Sequence, residues 1–275
     1  MENYSLIAAT HTETEEFGSF RIAQMFVHCL GLVGQLIGAV LLWRQALHLK
    51  SWARTSPEDD ISELKLMNDL WRHCNAVDAI GPLLFIILQS VPAVGKVHCM
   101  AAGVVSVFYT ISIVLFAILV PILSILVTVH VYKGQKAYVD WRCLVIPWPI
   151  AVLGGATLGI SMFNYYEAYE ACSPACYTAA CILTVLPVVV VLAGAALILP
   201  VQKLVHAQPS KVFHEGYRVV HMILFLATWG LPRLAHILLY PTTLYPSETQ
   251  LAIHMVAHCR HIATAFLYCF FALFA

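Results

Sequence analysis

Long uncharged stretches bounded by charged residues dominate this chain, and their lengths are those of membrane-crossing helices. Such runs cover Ile22 to Trp43, His73 to Gly95 with Asp78 inside, Val97 to Tyr132, and Cys143 to Tyr166. The pattern continues through Ala171 to Gln202, Tyr217 to Tyr240 with Arg218 and Arg233 inside, and Thr249 to Ala275 with Arg260 inside. A helix needs about 20 apolar residues to cross the hydrocarbon core, so each run predicts one span and the set predicts seven. The expected fold class is all-α: a seven-transmembrane helix bundle, residues 22–275, preceded by an extracellular N-terminal tail, residues 1–21.

Charge placement sets the orientation. With the N-terminus outside, the inner segments hold Arg44, Lys50, Arg54, Lys65, Arg72, Lys133, Lys136, Arg142, Lys203, Lys211 and Arg218, against Arg21 and Lys96 on the outer side. That asymmetry follows the positive-inside rule. The outer side instead gathers Glu2, Glu13, Glu15, Glu16, Glu167, Glu170 and Glu248, an acidic mouth that favours a basic partner. Asn3-Tyr4-Ser5 fits the N-glycosylation pattern and lies in the outward tail.

Composition agrees. Of 275 residues, 60% are hydrophobic and 11% charged, against roughly 25% charged in a soluble domain; the mean hydropathy is +0.80. Lys plus Arg and Asp plus Glu both number 15, so the net charge favours no nucleic acid. The nine cysteines are scattered and do not form a zinc framework. His254 and His258 can share a helix face, but no carboxylate or cysteine completes a set, so no metal is expected. No cleavable signal peptide, inverted repeat, nucleophile elbow or His-Glu-x-x-His motif is evident, and neither a cofactor nor an enzymatic activity is expected.

Asp78 and Arg260 are the most informative positions, because an ionisable group inside a span is costly and is normally paired or facing a wet cavity. At about 1.5 Å per residue, Asp78 lies about 20 Å from Lys65 and Arg260 about 18 Å from Glu248. The two distances sum to nearly the bilayer thickness of about 40 Å, so both side chains reach one level. Two readings stand open: a direct ion pair, or Arg260 bonded to helix carbonyls beside a protonated Asp78.

Three pieces resemble the rhodopsin-like G-protein-coupled receptors, and within them the chemokine-receptor branch. Gly31 to Trp43 is similar to that branch's first helix, with Gln35 where Asn is expected; Asp78 stands at the family's buried acid; Thr264 to Tyr268 resembles the Asn-Pro-x-x-Tyr ending with Asn and Pro lost. Cys99, Val129-His130-Val131, Pro187, Trp229 and Pro232 add to the likeness, which covers nearly all the chain. Erosion of this kind is similar to that of herpesvirus-encoded relatives of chemokine receptors.

The resemblance implies residues 22–275 as a receptor domain in the plasma membrane or internal membranes, with surrounding lipid, a peptide or chemokine ligand, a heterotrimeric G protein, and homo- or hetero-oligomers as partners. It also implies a disulfide from Cys99 to Cys172 or Cys176; a local Cys172–Cys176 link or free thiols are the alternatives. The family's acid holds a sodium ion, which Arg260 would replace. The family's Asp-Arg-Tyr falls on Leu123-Ser124-Ile125, which carries no cation, and Pro121 adds a kink before it. Trp229 and Pro232 resemble the family's Trp-x-Pro switch with one extra residue between them, while as a packed aromatic Trp229 needs no special explanation. Arg233 either pairs with an acidic group such as Glu248 or snorkels to the interface. Tyr4 is similar to the sulfotyrosines of chemokine receptors, and the absence of Lys from the seventh span disfavours a retinal pigment. The chain ends at Ala275 without an eighth helix or a Ser/Thr tail for arrestin. The leading expectation is thus a diverged receptor with atypical or constitutive signalling; a non-signalling scaffold or decoy that pairs with host receptors, and a transporter using Asp78 and Arg260, are the rivals.

Overall fold

The computed structural model describes residues 5–52, 58–90, 96–132, 142–166, 171–174, 185–197, 209–239 and 248–274. Its helices are α1 (Ser5–Trp52), α2 (Glu58–Ser90), α3 (Lys96–Tyr132), the short α4 (Arg142–Val145) and α5 (Pro147–Met162). Then come α6 (Val185–Leu197), α7 (Pro209–Phe225), α8 (Leu231–Leu239) and α9 (Glu248–Phe274). Among the described residues, four stretches are long and apolar enough to cross a membrane: Ile22–Trp52, Lys96–Leu126, Arg142–Ile160 and Met255–Phe274. The protein is therefore a helical membrane protein.

Which side chains face outward supports the same conclusion. Ile22, Phe26, Val33, Leu36, Val40 and Trp43 of α1 are exposed, whereas His28, Gln35, Asn75, Asp78, Arg260 and Thr264 are buried. In water an apolar stripe of that length would drive association; in lipid it is solvated, and the polar groups are the ones that must find partners inside.

α1 packs along α9 on one side and α2 on the other, and α3 packs along α5. Small residues allow these approaches. A Cβ at Gly34 would lie 2.8 Å from the Ala265 Cβ, and one at Gly159 would lie 2.4 Å from the Val104 Cα. With lipid on the outside, close backbone approach replaces the hydrophobic effect as the source of helix association.

Several elements differ from the sequence expectation. α1 is helical from Ser5 onward, so most of the expected tail continues the first helix; residues 5–17 contain neither Gly nor Pro. α2 starts at Glu58, upstream of His73, because its apolar positions continue through the charged segment. Leu64, Met67, Trp71 and Cys74 are buried at helical spacing.

The fourth expected span ends early. Phe163–Tyr166 is a strand, β1, paired antiparallel with β2 (Ala171–Pro174), with Tyr165 opposite Cys172. Aromatic residues at β1 favour extended pairing. The fifth expected span, Ala171 to Gln202, is corrected likewise: its first residues form β2, and the described helix covers only Val185–Leu197. Pro187 lies within the described helical stretch.

The sixth segment is two helices joined by a π turn, Leu226–Gly230, in which the Leu231 N–H donates to the Leu226 carbonyl five residues back. Pro82 and Pro121 lie inside α2 and α3. Pro121 meets α6 at Gly194, where a Cβ would come within 2.3 Å of the proline ring.

Candidate functional site

The polar interior is built on three helices that pack side by side, α1, α2 and α9. On α2, Asp78 is 1% exposed; on α9, Arg260 is 4% exposed. Arg260 Nε donates to Asp78 Oδ1 at 3.2 Å, so the two residues form a direct buried ion pair. The second carboxylate oxygen is also used: the Tyr268 hydroxyl donates to Asp78 Oδ2 at 2.8 Å. Arg260 and Tyr268 stand two helical turns apart on α9, which aligns them on the face turned to α2.

The guanidinium also lies over the Phe225 ring of α7, 5.7 Å from its centroid. The same hydroxyl of Tyr268 lies 3.4 Å from His221 Nε2, also on α7. Removing two charges from water costs several kcal/mol per ion, and such a pair persists only where geometry and extra hydrogen bonds return it. Here Tyr268 supplies one of those bonds.

Gln35 organises the second half of the network. Its Nε2 donates to the His261 carbonyl at 2.7 Å and to Thr264 Oγ1 at 2.8 Å, while Asn75 Nδ2 donates to Gln35 Oε1 at 2.5 Å. Thr264 in turn donates to the Arg260 carbonyl at 3.0 Å. The amide thus bonds to α2 and α9 at once. A single amide with a donor end and an acceptor end suits this role, because both ends are needed in one apolar setting.

The other expected site residues fall elsewhere. Ser124 is buried and its hydroxyl bonds to the Val120 carbonyl of its own helix at 2.9 Å, beside a Leu123 that is 2% exposed. Trp229 lies in the π turn, stacked on Phe225 at 5.2 Å. The π turn ends two residues before Pro232, which lies in α8. Arg233 places its guanidinium 5.6 Å from the centre of the Trp229 ring, a cation–π contact.

Cys99 is buried and disulfide-bonded. Among the described residues, Cys29, Cys74, Cys143, Cys259 and Cys269 are free thiols. The side chain of Cys172 lies outside the described set, as do Asn3, Tyr4 and Cys176.

Several partners escaped the sequence reading. Asn75 and His221 carry ordinary residue types inside spans, and only the packing of α1, α2, α7 and α9 gives them partners. A second constellation, His28, His258 and His261, offers ring nitrogens within 4.8 Å of one another, close enough to hold a metal. The sequence reading paired His258 with His254 instead, and His28 is remote in the chain.

Neither the protein-family models nor the curated proteins contain a match to this chain.

Proposed function

We propose that this protein is a diverged seven-helix receptor of the rhodopsin-like class, chemokine-receptor-like, with its N-terminus outside and with atypical or constitutive signalling. In this reading α2, α6 and the α7–α8 segment supply the crossings beyond the four long apolar stretches, their ionisable groups tolerated because Asp78 and Arg218 are turned inward. The acidic outer residues bind a basic peptide or protein.

The observation that carries the reading is the Asp78–Arg260 pair capped by Tyr268. It joins α2 to α9 at the acid and the terminal tyrosine through which the resembled receptors couple those helices. A mobile ion can leave when the helices rearrange; a tethered guanidinium cannot. The equilibrium between helix arrangements is then set by the pair, and a ligand shifts it only by binding one arrangement more tightly than the other.

Leu123 and Ser124 favour a second reading. Where the family presents a cation to the G protein, this chain packs a buried Leu and a Ser bonded within its own helix. A non-signalling scaffold or decoy that pairs with other receptors fits that substitution. Second-messenger output and G-protein dissociation in cells expressing the chain, with and without a chemokine panel and normalised to surface expression, separate the two. Output above mock supports the receptor. Silence at good surface expression overturns it, and chemokine binding then distinguishes a decoy from a scaffold.

A further inference from the structure

One turn from the Asp78–Arg260 pair, α1 and α9 bring three imidazoles together. His28 of α1 is fully buried, and its ring centroid lies 4.5 Å from that of His258 and 5.4 Å from that of His261. Ligand nitrogens of the three lie within 4.8 Å of one another. Both ring nitrogens of His28 are buried without a hydrogen-bond partner. An imidazole always carries at least one N–H and one lone pair or two N–H groups, and leaving both unmet in an apolar interior is destabilising. Something that accepts a nitrogen lone pair removes part of that cost.

We propose that His28, His258 and His261 form a binding site for a divalent transition-metal cation of the zinc class, clasping α1 to α9. Imidazole is the ligand such cations prefer among neutral side chains, and three imidazoles leave a coordination position open. Bonds of about 2.0–2.1 Å in tetrahedral geometry set the nitrogens about 3.3 Å apart, so the rings close by at most about 1.5 Å, within reach of small side-chain rotations.

The surroundings are suited to this role. Gln24, one turn before His28 on α1, has its amide 2.7 Å from His258 Nε2. With the amide oxygen turned toward that nitrogen it accepts the Nε2 proton and orients the ring. The Tyr109 hydroxyl of α3 lies 3.4 Å from the ring nitrogens of His261. Gly31, one turn after His28, permits the approach: a Cβ there would lie 2.6 Å from the His261 Cβ. The His261 carbonyl is also the acceptor of Gln35, so metal occupancy connects directly to the polar network.

The full chain in lipid nanodiscs, stripped with a chelator and titrated with Co(II), tests the site. The expected result is one Co(II) per chain with visible d–d absorption, displaced by Zn(II). His28→Phe retains a ring against Phe85, on which His28 stacks at 5.2 Å, and removes both nitrogens; it is expected to weaken Co(II) binding at least tenfold. His258→Ala is expected to do the same, Gln24→Ala to weaken binding about tenfold, and His48→Ala, an exposed histidine of α1, to change nothing. X-ray absorption on the wild-type protein needs no variant and is expected to report three imidazoles on the metal. No bound Co(II) in the wild type, undiminished affinity in a folded His28→Phe protein, or a coordination sphere with fewer than three imidazoles overturns the proposal.

Discussion

Tyr268 and Asp78 stand 190 residues apart in the chain and are joined by a buried 2.8 Å hydrogen bond. The bond occupies the carboxylate oxygen that Arg260 leaves open, so one acid on α2 is held twice by α9. The buried charge and its two partners therefore act as a unit, and their substitutions will not be additive.

Replacing one member of the ion pair leaves a charge without its counter-charge. Arg260→Met and Asp78→Leu are each expected to destabilise the protein by about 3–5 kcal/mol, while the double replacement recovers most of that loss because a buried pair exchanged for apolar residues is nearly neutral. Thermal unfolding in nanodiscs measures all three. A double variant as unstable as the sum of the singles would show that the pair does not interact as the structure has it.

Tyr268→Phe removes a hydroxyl bonded to a charged acceptor while keeping the ring. The expected loss is about 1.5–3 kcal/mol, smaller than for Arg260→Met, because the charge of Asp78 stays compensated. The same unfolding assay checks the order of the two variants.

The contact between α1 and α9 makes a steric prediction. Gly34→Ala places a methyl 2.8 Å from the Ala265 Cβ and is expected to reduce folded, monodisperse protein. Adding Ala265→Gly removes the clash and restores the yield, as read by fluorescence-detected size-exclusion chromatography. Gly159→Ala meets backbone instead of a side chain, at the Val104 Cα, and no single side-chain truncation is expected to rescue it.

The π turn predicts where the chain tolerates a deletion. Removing Ala227, an exposed residue within Leu226–Gly230, converts the turn to ordinary helix and leaves the helices on both sides in register. Removing Ile223 from α7 instead rotates everything beyond it by about 100°. Surface expression of the Ala227 deletion is expected to exceed that of the Ile223 deletion severalfold.

Much of the bundle was legible in the sequence because the membrane signal is local. Runs such as Val97 to Tyr132 declare a helix by length and hydropathy alone, and α3 follows that run almost to the residue. The same reasoning failed where local hydropathy and structure part. Ala171 to Gln202 is apolar enough to read as one span, yet pairing of β2 with β1 draws its start into a hairpin, and hydropathy carries no record of that pairing.

The site divides in the same way. That Asp78 and Arg260 need partners follows from the sequence, because a charge in a hydrocarbon-length run has no other inexpensive fate. That they choose each other, with Tyr268 as the third member, was decided by the tertiary structure. So was the gathering of His28 with His258 and His261 and the bonding of Gln35 to both neighbouring helices. The sequence by itself determined that these are apolar helices carrying buried polar groups, since burial in lipid depends on the composition of each segment taken alone. Which polar groups meet depends on the axial register and rotation of α1, α2 and α9 against one another. Those are set by close contacts such as Gly31 on His261 and Gly34 on Ala265, between residues far apart in the chain, and exist only once the helices have packed.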